Sequence, residues 1–91
     1  MENSYDKFYA AGDIFMDLGM YPEAEEQFEA AEKLHPAGYD RNLLYGIFFS
    51  KYYGGKWQEA KDFAERAENM GYEPFVMPLK LKLLEDSCKK L

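Results

Sequence analysis

The sequence predicts an all-α fold of about five helices, and three observations carry that prediction. Apolar residues recur every three or four positions through segments of about 12–17 residues. Sustained alternation of period two, the mark of a half-buried strand, is missing. Glycine and proline gather at Gly19–Pro22, His35–Gly38, Gly54–Gly55 and Gly71–Pro78, and these breaks separate the segments.

Each element follows from its own pattern. Phe8, Ala11, Phe15 and Leu18 predict a first helix over 4–18. Ala24, Phe28, Ala31 and Leu34 predict a second over 22–34, with Pro22 in a first turn where its missing N–H is no loss. Pro36 ends that helix by pushing His35 out of the α region. A third helix is expected over 40–53. A fourth, over 57–70, is marked by Ala60, Phe63, Ala64, Ala67 and Met70. Gly38 and Gly71 can take the positive φ that follows helix ends. After the Gly71–Pro78 break a fifth helix is expected over 78–90. Met77, Leu81, Leu84, Cys88 and Leu91 form one apolar stripe there, and Leu79 and Leu83 lie on a different face. Only one face is needed for packing on the preceding helix, so either this helix is wrapped more deeply than a cap usually is, or the second face, Leu79 and Leu83, meets a second copy or a partner. The short turns make all five helices antiparallel neighbours.

The chain repeats itself. Residues 5–38 read Phe8-x-x-Ala11-Gly12-x-x-Phe15, then Gly19, Tyr21, Ala24-x-x-x-Phe28, Ala31 and Pro36. Gly12 and Ala24 are small where two helices would cross closely, and Ala31 is small where the next helix must approach. Phe8, Phe15 and Phe28 fill the space between. Residues 39–72 repeat the theme with Tyr45-Gly46-x-x-Phe49, Trp57-x-x-Ala60 and Ala67. Gly46 to Ala60 spans 14 residues where Gly12 to Ala24 spans 12, and the turn Tyr53–Lys56 is expected to hold the extra two. A different alignment puts Leu44, Ile47 and Phe48 at the packing positions.

This pattern resembles the 34-residue tetratricopeptide repeat, an aromatic-x-x-Leu-Gly-x-x-Tyr followed by Ala-x-x-x-Phe and Pro. The first repeat departs mildly, with Phe8 for Trp, Ala11 for Leu and Phe15 for Tyr. The resemblance implies one domain over 1–91: repeat one at 5–38, repeat two at 39–72, and a capping or half-repeat helix at 73–91. It further implies antiparallel hairpins stacked as a short right-handed solenoid. Its first helices would line a concave groove that grips a peptide or helix. Carried over, the groove face is Asp6, Tyr9, Asp13, Met16 and Asp17 of the first helix with Leu43, Ile47 and Ser50 of the third. Co-chaperones of this family that clamp a carboxy-terminal carboxylate place Lys and Asn where this chain has Tyr9 and Asp13, so that ligand class is excluded. The mixed acidic and apolar groove favours a basic-amphipathic segment.

Charge and chemistry narrow the function. The chain has 91 residues and 10.6 kDa, room for one domain that buries roughly 64% of its unfolded surface. An array of two and a half repeats is short of the roughly three that usually suffice for stability, which points to self-association or an obligate partner. With 17 acids against 11 bases, the net charge is −6, unsuited to a phosphate backbone. Residues 1–38 carry nine acids and two bases, net −7, and residues 39–91 eight acids and nine bases, net +1. The run Glu23, Glu25, Glu26, Glu29 and Glu32 is expected to form a solvated outer face of the second helix. Two or three of the many tyrosines are expected at a contact surface, where they combine apolar area with a polar handle.

His35 and Cys88 are the only residues of their types, which excludes an intramolecular disulfide and a metal site built from several of the chain's own Cys and His. Glu32-x-x-His35 spells half of a di-iron motif, so a dimeric metal protein is the weakest of the alternatives. Gly54-Gly55 is too short for a phosphate cradle, and Ser4, Ser50, Ser87 and Cys88 lack a recognisable nucleophile context. The expectation is a non-enzymatic adaptor without cofactor, or a small dedicated chaperone, since short tetratricopeptide chaperones of type III secretion look similar in size and acidity. The start of the chain lacks a basic-then-apolar leader, and no apolar run approaches the ~20 residues of a membrane span. The cytoplasm is therefore the expected compartment.

Overall fold

The computed structural model describes residues 4–34 and 41–89, with side-chain surroundings given as far as Glu85. The expectations for His35, Pro36, Gly38 and the Cys88 side chain lie outside the described set. Five α-helices follow in order: α1 (Ser4–Asp17), α2 (Tyr21–Leu34), α3 (Arg41–Tyr53), α4 (Trp57–Ala67) and α5 (Glu73–Lys89). No strand occurs among the described residues. Consecutive helices pack on one another, α1 also touches α3, and the Cα extents are 50 × 30 × 16 Å.

Two turns show an internal repeat in atomic detail. After α1, Leu18 N–H donates to Ile14 O, Gly19 N–H to Met16 O, Met20 N–H to Phe15 O and Ala24 N–H to Met20 O. After α3 the same four bonds run from Gly54, Gly55, Lys56 and Ala60 to Ser50, Tyr52, Lys51 and Lys56, each partner lying 36 residues further along. Gly19 and Gly55 hold matching positive φ values of 75° and 84°, the left-handed conformation that closes both helices. The turn Tyr53–Lys56 therefore holds no extra residues, contrary to the expectation from spacing. The two additional residues fall between the α1–α2 hairpin and the α3–α4 hairpin, and the alignment through Leu44, Ile47 and Phe48 is the one the structure adopts.

The core runs along the shared face of both hairpins. Ala24, Phe28 and Ala31 of α2 join Leu43, Leu44, Ile47, Phe48 and Tyr52 of α3 and Ala60, Phe63, Ala64 and Ala67 of α4. Phe28 is its pivot. A Cβ built on Gly12 would lie 2.7 Å from Phe28 Cε1, and one built on Gly46 would lie 2.9 Å from the same atom. The ring thus occupies space left by a glycine on α1 and a glycine on α3. Retreat from one side presses it against the other. Gly12, Ala24, Phe28, Ala31, Ala60 and Ala67 are buried, and Phe8, Ala11 and Phe15 are half-buried. Gly46, expected as the counterpart of Gly12, is instead half-buried in the wall of the cleft between α1 and α3, and Phe48 takes the counterpart position. Trp57 differs: it is 37% exposed at the start of α4, with its ring 4.6 Å from that of Tyr52.

The last helix begins five residues earlier than expected, at Glu73, and its packing face is reversed. Residues Glu68–Tyr72 form a wide turn in which Gly71 takes φ 100°, and α5 starts directly after it. Pro74 sits in the first turn, where it costs nothing, and Pro78 forgoes a single backbone bond inside the helix. With Val76 included, the buried stripe becomes Tyr72, Val76, Leu79 and Leu83. Leu79 is only 2% exposed and so belongs to the core, while Leu83 is half-buried against it. Met77, Leu81 and Leu84, expected to pack inward, are instead 49%, 59% and 62% exposed. Lys80 ties α5 to the wide turn through a 2.5 Å bond from its Nζ to Glu68 Oε2.

Candidate functional site

α1 and α3 stand side by side over Phe28 and leave a cleft of about 370 Å³ between them. The α1 wall is Tyr9, Asp13, Met16 and Asp17, residues that a helix brings to one side at spacings of three and four. The α3 wall is Asn42, Tyr45, Gly46, Phe49 and Tyr53, with Tyr21 closing one end and Phe28 as the floor.

The third-helix groove residues predicted from sequence are corrected by this geometry. Leu43, Ile47 and Ser50 are buried in the core, and the Ser50 hydroxyl donates to Ile47 O at 2.9 Å. The 36-residue offset explains the error. Tyr9, Asp13 and Asp17 correspond to Tyr45, Phe49 and Tyr53, whereas a 34-residue offset selects positions two residues away. Two residues are about 200° around a helix, which turns the groove face into the core face. Asp6 is exposed on α1 but does not line the cleft, and Phe49, expected as packing, is half-buried in its wall.

The cleft is aromatic and acidic. Tyr9 packs against Phe28 at 5.6 Å between ring centroids and stacks on Tyr5 at 6.4 Å. On the other wall Phe49 stacks on Tyr53 at 5.6 Å and meets Tyr45 edge-on at 6.3 Å. Tyr21 and Tyr53 approach to 5.8 Å at the closed end. These rings hold each other in place, so the walls lose little entropy when a ligand covers them. Asp13 and Asp17 are exposed at the rim, and no Lys or Arg is among the lining residues. A segment with an apolar side and cationic flanks matches both properties.

A buried ion cluster behind the cleft escaped the sequence reading, which placed Glu25 on a solvated face. Glu25 is buried, and Lys51 Nζ donates to its Oε2 at 2.5 Å while Lys56 Nζ donates to Oε1 at 2.8 Å. The exposed Glu59 lies 3.9 Å from Lys51. Burial pushes the Glu25 carboxyl upward, but the two lysine hydrogen bonds and their charges outweigh it and hold the carboxyl below its ordinary value. The Glu25 bond and charge in turn raise Lys56. The cluster joins α2 to the end of α3 and the turn into α4, and so fixes how one hairpin sits on the other. Periodicity carried a signal for it. Glu25 is three residues before Phe28, and Lys51 is three after Phe48, so both lie on core faces with opposite charges.

Among the described residues no three His, Cys, Asp or Glu side chains converge on a common point, and no helix is long and apolar enough to cross a membrane. No family model, curated relative or solved structure matches the chain.

Proposed function

We propose that the chain is a non-enzymatic protein-interaction module whose α1–α3 cleft binds a basic-amphipathic segment of another protein. The cleft itself carries this reading: tyrosine and phenylalanine walls, two rim carboxylates and no cation in the lining. The repeated hairpin turn supports a tetratricopeptide-like reading of the architecture, two stacked hairpins with α5 as the closing helix. In that arrangement the first helix of each hairpin lines the ligand groove, and α1 and α3 are the helices that line the cleft. The half-buried rings supply apolar contact area, and Asp13 and Asp17 select the sign of the flanking charge.

The test is a titration of labelled amphipathic peptides that share an apolar face and differ only in lysine or glutamate flanks. The lysine peptide should bind more tightly, and its affinity should fall as salt rises. Asp13→Lys/Asp17→Lys should weaken it about tenfold and improve the glutamate peptide. Tighter binding of the glutamate peptide by the unaltered chain would overturn the reading.

A further inference from the structure

The two outer edges of the molecule, away from the α1–α3 cleft, are unlike each other. At one edge α4 and α5 enclose a groove of about 370 Å³ with Trp57, Ala64, Leu83 and Leu84 as its apolar lining. Lys61 and Lys80 flank it beside one lining acid, Glu65; Lys80 is already paired with Glu68, so Lys61 carries the charge this groove offers a partner. The exposed side chains of Leu84, Leu81 and Met77 continue the apolar surface along α5. At the other edge α1 and α2 present Phe8, Ala30 and Leu34 around a shallow groove of about 430 Å³, flanked by Glu26 and Glu29 and one base, Lys33. Leu34 is 46% exposed there. α3 lies between the two edges in the packing order, with α1 and α2 on one side and α4 and α5 on the other.

From this complementarity we infer that a second copy of the chain docks its α1–α2 edge into the α4–α5 groove. Each edge is apolar at its centre. The glutamates of one meet Lys61 of the other, in keeping with the net −7 of residues 1–38 and net +1 of residues 39–91. The occupant need not come from a different protein, because the chain itself carries a surface of the required sign. Such a contact joins two different patches, so each added copy leaves one edge of each kind unused, and assembly does not close at two.

Sedimentation of the full 91-residue chain over a concentration series tests this. The average mass should rise past that of a dimer and fall as salt is added. Leu84→Glu should weaken association about tenfold or more. Lys61→Glu and Glu29→Lys should each weaken it, and an equimolar mixture of these two variants should recover wild-type association, because each reversed charge then meets its opposite. Circular dichroism checks that the variants are folded. If Leu84→Glu unfolds the chain, the charge-exchange pair decides alone, since both of its positions are exposed. A wild-type monomer throughout the series overturns the inference, and so does a closed dimer indifferent to the charge exchange. Neither outcome bears on the cleft, whose Asp13 and Asp17 are untouched.

Discussion

The two hairpins share one turn, down to the same four hydrogen bonds, yet fill their interiors in opposite ways. In the first, the small residue Gly12 is on the leading helix and the large one, Phe28, on the returning helix. At the positions 36 residues later, Phe48 is on the leading helix and Ala64 on the returning one. All four are buried. Backbone geometry at the turn is therefore repeated residue by residue, whereas core volume is conserved only as a sum. The asymmetry leaves Phe28 reaching from the middle of α2 toward both α1 and α3, and so forming the floor of the cleft.

Removing that ring should be the harshest way to break the comparison. Phe28→Ala should cost about 4 kcal/mol, a large share of the stability of a chain this small, with a matching drop in the urea midpoint. A small effect there would mean that the two hairpins do not depend on a common pivot.

Glu25→Gln should come next, at about 3 kcal/mol, because it leaves the largely buried ammonium of Lys51 with only the exposed Glu59, 3.9 Å away, as counter-charge. This variant also has a pH signature. The folded Glu25 carboxyl is held below its ordinary value of 4.5, so its contribution is fully present above that pH and is lost as pH falls through the lower folded value. Acid titration of unfolding free energy should show this loss in the wild type and a flatter curve in Glu25→Gln.

Gly12→Ala and Gly46→Ala should each cost about 2 kcal/mol, since the new methyl meets a ring with no free side to move to. Adding Phe28→Leu to either should recover part of the loss, and strict additivity would argue against a shared contact. Gly19→Ala and Gly55→Ala sharpen the comparison in the other direction. Both positions have positive φ and open space where a Cβ would go, so the two should cost the same, about 1 kcal/mol each, by conformation alone. Unequal thermal shifts would show that the two turns carry different strain.

The smallest effect should be a gain. The Tyr52 hydroxyl is buried with no hydrogen-bond partner among the described residues. Tyr52→Phe removes that desolvated group while keeping the ring stacked on Phe48 at 5.6 Å, and should stabilise by up to about 1 kcal/mol. A destabilised Tyr52→Phe would mean that the hydroxyl has a partner.

Much of this architecture was legible before any coordinates. The first four helices begin within a residue of where spacing and breaks put them, because 3.6-residue periodicity and turn chemistry are local properties. α5 was misread for an equally local reason: Pro78 looks like a boundary, yet a helix already started at Glu73 can carry it at the loss of one bond. Shifting the start brought Val76 into the stripe and turned Leu79 inward, which exchanged the buried and exposed faces.

The α1 half of the cleft was also readable, since Tyr9, Asp13, Met16 and Asp17 share a face on helical spacing alone. The α3 half was not. Choosing between offsets of 34 and 36 residues requires knowing which side of α3 meets α2 and α4, and both sides of that helix are rich in apolar and aromatic residues. Local composition is nearly silent on that choice.

Composition, periodicity and turn residues settled that this chain is helical, where its hairpins bend and which charges it carries, because each depends on neighbours a few positions away. Packing between distant segments settled the rest: Phe28 held between two glycines, Glu25 drawn inside by Lys51 and Lys56, and the face that α3 turns to the cleft. The first two of those outcomes are decided by shape and charge matching between residues 16 to 31 positions apart, and the third by the packing of whole helices, a matching that forms only when the helices are brought together.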